Sequence, residues 1–328
     1  MVTSEACQVP VFRYALERWE PAAYLLSMTP GTNGLTPDEK AIVESLQHPK
    51  TPVNVEIEIK APAEKSSVAL HDPRSRNAEA RKPVWQADFS KDTASALLNS
   101  PVRDELRKRL LSGQTAVWLL LESGDAAKDN AAHTVLQESM KTITEKVKLP
   151  DGVITQDEAS LRNATRRHEN ADVLQTDLPL KIDFSILRLS RADQREAALI
   201  AMLMHLEPDL GDFISEPMVF PIFGRGRALE PLIGKGIHDD NLLQTATYLC
   251  GACSCEIKDQ NPGMDLLLSA DWSAVDNAPV IETVRIEPKP AVADATPSNT
   301  AAKRRRWIAA AAALVLSLGF LLRKSRSS

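Results

Sequence analysis

Residues 115–122 (TAVWLLLE) are a nearly continuous apolar run, and this stretch decides the fold class. A strand without polar alternation is typical of a sheet that helices cover on both faces. The turn Ser123, Gly124, Asp125 follows it and leads into a predicted helix over residues 126–147. This helix has one apolar face, formed by Leu136, Met140, Ile143 and Val147.

Strands and helices continue to alternate after this first pair. Residues 182–189 (IDFSILRL) predict a second strand, after which Ser190 with Asp193 resembles a helix capping box. The helix that follows stops at Pro208. Its apolar stripe contains Leu199, Met202, Leu203 and Leu206.

The C-terminal part of the folded chain predicts a hairpin and a last helix. Residues 217–223 predict a strand, the turn at residues 224–227 (GRGR) reverses the chain, and residues 228–233 are its antiparallel partner. The last helix is expected from about Asp239 towards Lys258. The element order is therefore β-α-β-α-β-β-α, an α/β fold.

The N-terminal third repeats parts of this pattern between two polar stretches. Residues 61–82 and 150–179 are polar and are predicted to be loops. Helices are predicted over residues 11–19, 36–47 and 92–111; Pro37 is at the first position of the second, and Pro101 breaks the third. Strands are predicted near residues 22–28, over residues 53–59, where the strand is half-exposed, and from Pro83 onward.

The order of elements in residues 114–258 resembles the thioredoxin fold. Pro217 falls where that family has a proline, cis in those proteins, that opens the third strand, and Gly234 matches a glycine that ends the hairpin. The resemblance implies one or two tandem thioredoxin-like units, to which the apolar run at residues 307–322 adds a C-terminal transmembrane helix. A degenerate unit would occupy residues 1–113, and the clearer one residues 114–287. Further structural positions are the turn glycines Gly224 and Gly226.

The redox site of thioredoxins is missing from both halves. That family carries Cys-x-x-Cys directly after the first buried strand, at a helix N-terminus whose dipole lowers the thiol pKa. Here the same position is Ser123-Gly124-Asp125-Ala126. Without a thiolate the resemblance does not imply disulfide exchange. Residues 7–19 and 216–236 are also similar to an uncharacterised bacterial membrane-associated family, which supplies no function.

A run of uncharged residues, 307–322 (WIAAAAALVLSLGFLL), predicts a single-pass transmembrane helix near the C-terminus. At ~1.5 Å per residue this helix would be ~24 Å long, which is shorter than the ~30 Å hydrocarbon layer of a bilayer. The long basic side chains on both flanks can reach the headgroups and so make up the difference. The alternatives are a buried core helix or an amphipathic surface helix. Residues 288–302 predict a disordered stalk. The basic flanks are Lys303, Arg304, Arg305, Arg306, Arg323 and Lys324.

The charges around the span leave its orientation open. Four positive charges precede it and three follow it, so the positive-inside rule does not discriminate. Residues 1–7 contain no basic n-region and no apolar h-region, so no signal peptide is predicted. The lack of a predicted signal peptide favours a tail-anchored protein with its bulk in the cytosol. The alternative is that the start codon was assigned too late and a leader peptide was omitted.

The composition is that of a globular protein with about two domains. The chain has 328 residues, of which 43 % are hydrophobic and 25 % are charged. A net charge of −5 argues against nucleic acid as a partner. The basic anchor flanks are expected to contact anionic lipid headgroups.

Cys250, Cys253 and Cys255 form the only cluster with reactive side chains. At Cys-x-x-Cys-x-Cys spacing they can hold zinc or an iron–sulfur cluster, with His238 or Cys7 as the fourth ligand. A second interpretation is a redox disulfide between Cys250 and Cys253 that Cys255 resolves. A third is that these small side chains pack in the core where the last helix ends.

Two charged segments are expected to be solvated. The turn at residues 224–227 matches neither phosphate-binding fingerprint, so Arg225 and Arg227 are placed on an exposed hairpin tip, with contact to an acidic partner as the alternative. An acidic segment is interpreted as an exposed loop rather than an acid–base or cation site: Glu207, Asp209, Asp212 and Glu216. No histidine spacing fits zinc, and no hydrolase motif occurs.

We therefore predict a membrane-anchored, non-catalytic binding or assembly module with a protein partner and no cofactor. The alternative is a thiol-redox or metal-binding protein that uses Cys250, Cys253 and Cys255. A membrane-associated hydrolase is a third hypothesis, for which the sequence reveals no nucleophile–base pair.

Overall fold

The computed structural model describes five stretches of the chain: residues 8–74, 83–155, 157–158, 173–253 and 257–276. They belong to one compact unit. The predicted stalk, the predicted transmembrane helix, Cys7 and Cys255 lie outside these stretches. Within them, no helix is long and apolar enough to cross a bilayer. The division into two domains near residue 113 stays a prediction.

The protein is a mixed α/β structure with two sheets and, over the described stretches, eight α-helices. The helices are α1 (Val11–Arg18), α2 (Pro37–Gln47), α3 (Lys91–Leu98), α4 (Pro101–Leu111), α5 (Ala126–Lys146), α6 (Ala197–Met204), α7 (Asp239–Cys250) and α8 (Ser273–Asp276). The strands are β1 (Tyr24–Thr29), β2 (Val55–Ile59), β3 (Ser67–His71), β4 (Pro83–Asp88), β5 (Ala116–Leu121), β6 (Phe184–Leu189), β7 (Met218–Phe223), β8 (Arg227–Ala228), β9 (Leu232–Ile233) and β10 (Met264–Asp265). The predicted α/β class is confirmed.

The first sheet has the strand order β2-β1-β3-β4. β1 and β2 are parallel, and β3 and β4 continue the sheet in antiparallel fashion. Tyr24, Leu26 and Met28 of β1 are fully buried in a core to which α2, α3 and α4 contribute side chains. In β2, Glu56 and Glu58 are exposed and the intervening positions are partly buried, as the alternating sequence predicts.

The second sheet has the order β10-β8-β7-β5-β6, with β9 also pairing with β7. β5 and β6 are parallel, whereas β7 is antiparallel to β5. Every residue of β5 is buried. Val117, Leu119 and Leu121 join the core that also contains β1, while Trp118 and Leu120 pack in a second cluster with α5 and α7. The apolar run is therefore sandwiched between two layers, which confirms the strand predicted there.

Residues 264–276 join the two sheets. β10 pairs with β8, and Ala270 N donates to Pro52 O (2.8 Å) just before β2. Between these points the Asn54 amide donates to Leu266 O (3.1 Å) and accepts from Leu268 N (2.9 Å). The first sheet, the second sheet and this segment consequently share one core.

The end of the predicted loop over residues 150–179 is fixed to α1 by a buried ion pair. Arg13 Nε donates to Glu17 Oε1 (2.7 Å), and both side chains are almost fully buried. Glu17 also accepts from Gln175 N (2.9 Å) and Thr176 N (3.2 Å). Burial lowers the pKa of Arg13 and the Glu17 carboxylate opposes that shift. Because both charges have partners, their burial is tolerated.

Several sequence predictions of secondary structure are wrong in detail. The predicted loop over residues 61–82 contains β3. Its apolar positions Val68 and Leu70 alternate over too few residues to predict a strand, and they are buried in the sheet in which β3 pairs with β1. The last helix ends at Cys250 and not near Lys258, because the next residue, Gly251, has an extended backbone.

The other differences concern helix starts and the hairpin partner. Asp193, rather than Ser190, caps the turn before α6, since its carboxylate accepts from Arg195 N (3.1 Å). Residues 228–233 form two short pieces, β8 and β9, and not one strand, because their register against β7 shifts by one residue between them and Pro231 has no N–H to donate. The predicted break at Pro101 is confirmed: it opens α4 directly after α3.

The glycine–arginine turn is buried, so the expectation of a solvated hairpin tip is wrong. The guanidinium of Arg225 donates to the carbonyls of Leu16 (2.8 Å) and Glu17 (3.1 Å) and to the Glu20 carboxylate (2.5 Å). It thereby satisfies carbonyls that the last turn of α1 leaves without helix partners. Arg225 is only 9 % exposed.

Arg227 fixes the other side of the same turn. Its guanidinium donates to the Asp265 carboxylate (3.2 Å) and to the carbonyls of Asn261 (2.8 Å) and Pro262 (2.8 Å). Both arginines thus use their donors inside the protein, which leaves the predicted contact with an acidic partner without support here.

The turn also requires glycine. Gly224 has a φ of +58°, and a Cβ at this position would lie 2.6 Å from the Cβ of Ala15 in α1. Gly226 has a φ of +94°, and a Cβ at this position would overlap a methyl group of Leu268. The closeness of α1 and of the 264–276 segment therefore depends on the missing side chains.

We expect Gly224→Ala to lower the free energy of unfolding by about 2–4 kcal/mol, because it combines a left-handed backbone with a clash against a rigid helix. The control is Gly211→Ala, where φ is not positive and no atom lies within 4 Å of the added Cβ. Urea unfolding followed by circular dichroism measures both variants. Equal stability of the two would show that α1 moves aside at no cost.

Candidate functional site

Three strand ends meet at one edge of the second sheet. The parallel strands β5 and β6 end side by side, with Leu121 opposite Leu189, and β7 begins at the same level, with Met218 opposite Leu121. β5 has β6 on one side and β7 on the other, so the strand order reverses here. Ligands of open α/β sheets bind outside the carboxyl ends of the strands at such a reversal. This edge is therefore the candidate site.

The N-terminus of α5 at this edge is closed by carboxylates of the chain itself. Asp129, 3 % exposed, accepts hydrogen bonds from Ser123 N (2.7 Å), Ser123 Oγ (2.8 Å) and Gly124 N (3.1 Å). Asp125 caps the helix by accepting from Ala127 N (2.9 Å). The donors that would stabilise a thiolate or another anion are consequently occupied by two negative groups.

Two cations connect this helix end to the segment before β7. Arg191 donates to Glu122 O (2.8 Å) and to Glu216 O (3.3 Å). Lys128 donates to the Glu216 carboxylate (2.6 Å), and this hydrogen bond raises the Lys128 pKa. Burial lowers the pKa of Arg191, an effect that nearby Asp129 opposes. The result is a charge network without an unpaired nucleophile.

The segment held by this network exposes two adjacent apolar side chains. Phe213 is 42 % exposed and Ile214 is 60 % exposed. Asp209 and Asp212, just before them, are also exposed, and Glu216 is tied to Lys128. The acidic segment is thus a solvated loop, as expected, but its most unusual feature is the apolar pair.

The predicted structural residues of this edge have defined roles. Pro217 is buried directly before β7, and its carbonyl accepts from Gly234 N (2.9 Å). Gly234 has a φ of +50°, and a Cβ there would contact Glu216. No peptide bond in the described stretches is cis, so Pro217 departs from the cis proline of the thioredoxin family.

The described cysteines are buried away from this edge. Cys250 is the last residue of α7 and Cys253 follows three positions later, both within the core. Burial raises the pKa of Cys250 to about 12. A thiol with this pKa is a poor nucleophile and a poor metal ligand at neutral pH.

The proposed fourth ligand His238 cannot reach Cys250. His238 precedes α7 and Cys250 ends it, and at ~1.5 Å per residue the two backbones are roughly 18 Å apart along the axis. The described stretches contain no group of three or more His, Cys, Asp or Glu side chains close enough to hold a metal ion. Cys7 and Cys255 lie outside these stretches.

A serine–histidine contact that the sequence does not reveal occurs in the first sheet. Ser27 Oγ lies 2.8 Å from His71 Nε2, and both residues are buried. Ser27 is inside β1, which pairs with β2 on one side and β3 on the other. Its neighbouring amides are committed to these ladders, so no oxyanion donors accompany it. We interpret the contact as a satisfied hydrogen bond within the sheet.

Sequence reasoning missed the residues that build the candidate edge. Asp129 and Lys128 occupy ordinary positions of an amphipathic helix, and Arg191 lies in a turn. Lys128 and Arg191 pair with Glu216, which is distant in sequence, and Asp129 pairs with Ser123 and Gly124 across a turn, so no helical spacing pattern signals these contacts. Phe213 and Ile214 were visible as apolar residues in an acidic loop, which is the one available signal.

The chain matches no protein-family model, no curated protein and no solved structure.

We expect Cys250 to resist alkylation in the native protein. With a pKa of about 12, its thiolate fraction at pH 8 is about 10⁻⁴, so iodoacetamide should react about 10³-fold more slowly than with the urea-unfolded chain. Mass spectrometry of the peptide that contains Cys250 measures both rates. Equal rates would contradict the buried environment and favour the thiol-redox alternative.

Proposed function

We propose that this protein is a membrane-anchored, non-catalytic binding module that contacts a protein partner through the carboxyl end of the second sheet. The observation that carries the proposal is the exposed pair Phe213–Ile214, held beside the N-terminus of α5. Exposed apolar side chains at the place where α/β sheets bind ligands favour an interaction site. The surrounding donors are already satisfied, which favours recognition over chemistry.

Two thioredoxin-like units are the fold that we propose for this module. In each sheet the first two strands are parallel and adjacent, the third lies on the other side of the first, and the fourth follows it antiparallel. The unit in residues 114–287 has α6 as its crossover between β6 and β7. In residues 1–113 the chain passes from β2 to β3 through residues 60–66 without a helix, which supports the degenerate character proposed for it.

The cysteine alternative has less support than the binding module. A redox or metal function of Cys250, Cys253 and Cys255 needs accessible thiolates, whereas Cys250 and Cys253 are at most 1 % exposed. A packing role in the core accounts for both positions. At the candidate edge the Ser123 hydroxyl donates to the Asp129 carboxylate (2.8 Å) and Arg191 donates to two backbone carbonyls, so these groups give the hydrolase hypothesis little support.

We place the module at a membrane through residues 307–322, with residues 288–302 as a stalk. The length and apolar character of that run support a span, and the basic flanks from Lys303 to Arg306 and from Arg323 onward support contact with lipid headgroups. The net charge of −5 supports a protein rather than a nucleic acid as partner.

We expect Phe213→Ser with Ile214→Ser to weaken partner binding by at least about tenfold. The partner would bury both side chains, and truncating an apolar side chain at such a contact costs more than ~1 kcal/mol. A photo-crosslinking amino acid at residue 212, introduced in the native membrane, identifies the partner. Binding of the purified partner is then measured by calorimetry. The control Ile257→Ser removes a comparably exposed isoleucine, 57 % exposed, from a different segment. A partner that binds both variants equally would refute this site.

We expect Leu316→Arg with Leu318→Arg to release the protein from membranes, because each central arginine costs about 2.5–3.5 kcal/mol on insertion. Carbonate extraction followed by sedimentation measures the membrane fraction. Ser317→Ala, between the two positions, is the control and should stay in the pellet. Retention of the double-arginine variant would contradict a membrane span.

A further inference from the structure

β2 forms one edge of the first sheet and pairs with β1 on its inner side. In this parallel ladder Tyr24 N donates to Asn54 O (2.9 Å) and Lys60 N donates to Met28 O (2.8 Å). These bonds show that the even-numbered residues of β2 direct their backbone groups towards β1. The odd-numbered residues therefore direct their N–H and C=O groups outward.

The outward backbone groups of Ile57 and Ile59 have no hydrogen-bond partner among the described residues. Unpaired edge groups are a template for another strand. Just before β2, Val53 forms an antiparallel bridge with Ser269, in which Pro52 O accepts from Ala270 N (2.8 Å). The open part of the edge begins after Val55, whose N–H donates to Val53 O (2.9 Å).

In the described stretches, the other outer strands offer less open edge than β2. The guanidinium of Arg109 donates to Ile186 O (3.0 Å) on the outer side of β6. α6 packs against β4, the opposite edge of the first sheet. β10 is two residues long, which limits any added ladder. β2 has no comparable cover in the part of the chain that the structure describes.

The side chains of the open edge indicate what fits it. Glu56 and Glu58 are exposed on one face, while Ile57 is half-buried and Ile59 is 47 % exposed on the other. An added strand places its side chains about 4.5–5.5 Å from their cross-strand neighbours. Basic residues in alternate positions would face the two carboxylates, and apolar residues between them would cover the two isoleucines.

A second copy of β2 fits less well than a basic strand. In the two-fold register centred on Ile57, Glu56 of one chain would lie opposite Glu58 of the other, and like charges in that position repel. Lys60 is 4.0 Å from Glu58 with both side chains about half exposed, so it screens the carboxylate only weakly.

We propose that the outer edge of β2 binds an extended segment of a partner protein, alternating basic and apolar residues, by strand addition. Main-chain hydrogen bonds to Ile57 and Ile59 supply the affinity, and Glu56 with Glu58 selects the basic sequence. This surface is separate from the Phe213–Ile214 edge of the second sheet, so its test does not depend on that site.

The probe is a synthetic peptide of about nine residues that alternates lysine and valine, titrated against the full chain by fluorescence anisotropy. Two matched peptides accompany it: one with glutamate in place of lysine, and one with N-methyl groups on the amides that would face β2. We expect each to bind at least about tenfold more weakly than the lysine peptide. Hydrogen exchange at the Ile57 and Ile59 amides should slow when the lysine peptide binds.

Variants of β2 complete the test. Glu56→Lys with Glu58→Lys should reverse the preference in favour of the glutamate peptide, whereas Glu44→Lys, an exposed position on α2, should not. Ile59→Pro removes an outward N–H without breaking the ladder to β1 and should weaken the lysine peptide at least about tenfold.

Two results would overturn the proposal. Equal affinity of the N-methylated peptide would mean that charge alone attracts the lysine peptide. A concentration-dependent dimer in analytical ultracentrifugation that Ile59→Pro dissolves would assign the edge to a second copy of the chain.

Discussion

The carboxylate of Asp265 is the point at which the two sheets are joined. It accepts from Ala22 N (2.7 Å) at the entry to β1, from Lys258 (2.5 Å) and from Arg227 (3.2 Å) in β8. Its own carbonyl accepts from the Tyr24 hydroxyl (2.9 Å). A buried carboxylate without such partners would be strongly destabilising. The position of each sheet therefore depends on the other through this side chain, in addition to the hydrogen bonds of Asn54 and Ala270.

The same principle, internal satisfaction of charge, shapes the functional interpretation. Asp129 occupies the amides where a thioredoxin-like unit would stabilise a thiolate, and Arg191 and Lys128 are engaged with carbonyl and carboxylate oxygens. Electrostatic catalysis uses donors that are aimed at the position where charge develops, whereas these donors are aimed at oxygens of the protein itself. The same edge exposes two adjacent apolar side chains, Phe213 and Ile214, which is the character of a contact surface.

The success of sequence reasoning depended on how local the governing interaction was. β5 was predictable because burial on both faces leaves an unbroken apolar run, and the break before α4 was predictable because proline acts on its own backbone. β3 was missed because five residues carry little periodicity and pairing with β1 makes them a strand. Arg225 was misplaced on the surface for a related reason: its acceptors are carbonyls of α1, some 200 residues away in sequence.

The sequence by itself determined the alternation of strands and helices, the glycine turn, the missing Cys-x-x-Cys and the apolar run near the C-terminus. These are properties of neighbouring residues, and side-chain periodicity and backbone restrictions encode them directly. Only the tertiary structure decided that the arginines of the turn are buried, that Asp129 closes the N-terminus of α5, and that the edge of β2 is open. The burial of the arginines and the open edge depend on whether a polar group meets a partner from a distant segment. The Asp129 contact depends on how the turn after β5 brings Ser123 back to the helix, and a single sequence records neither distance.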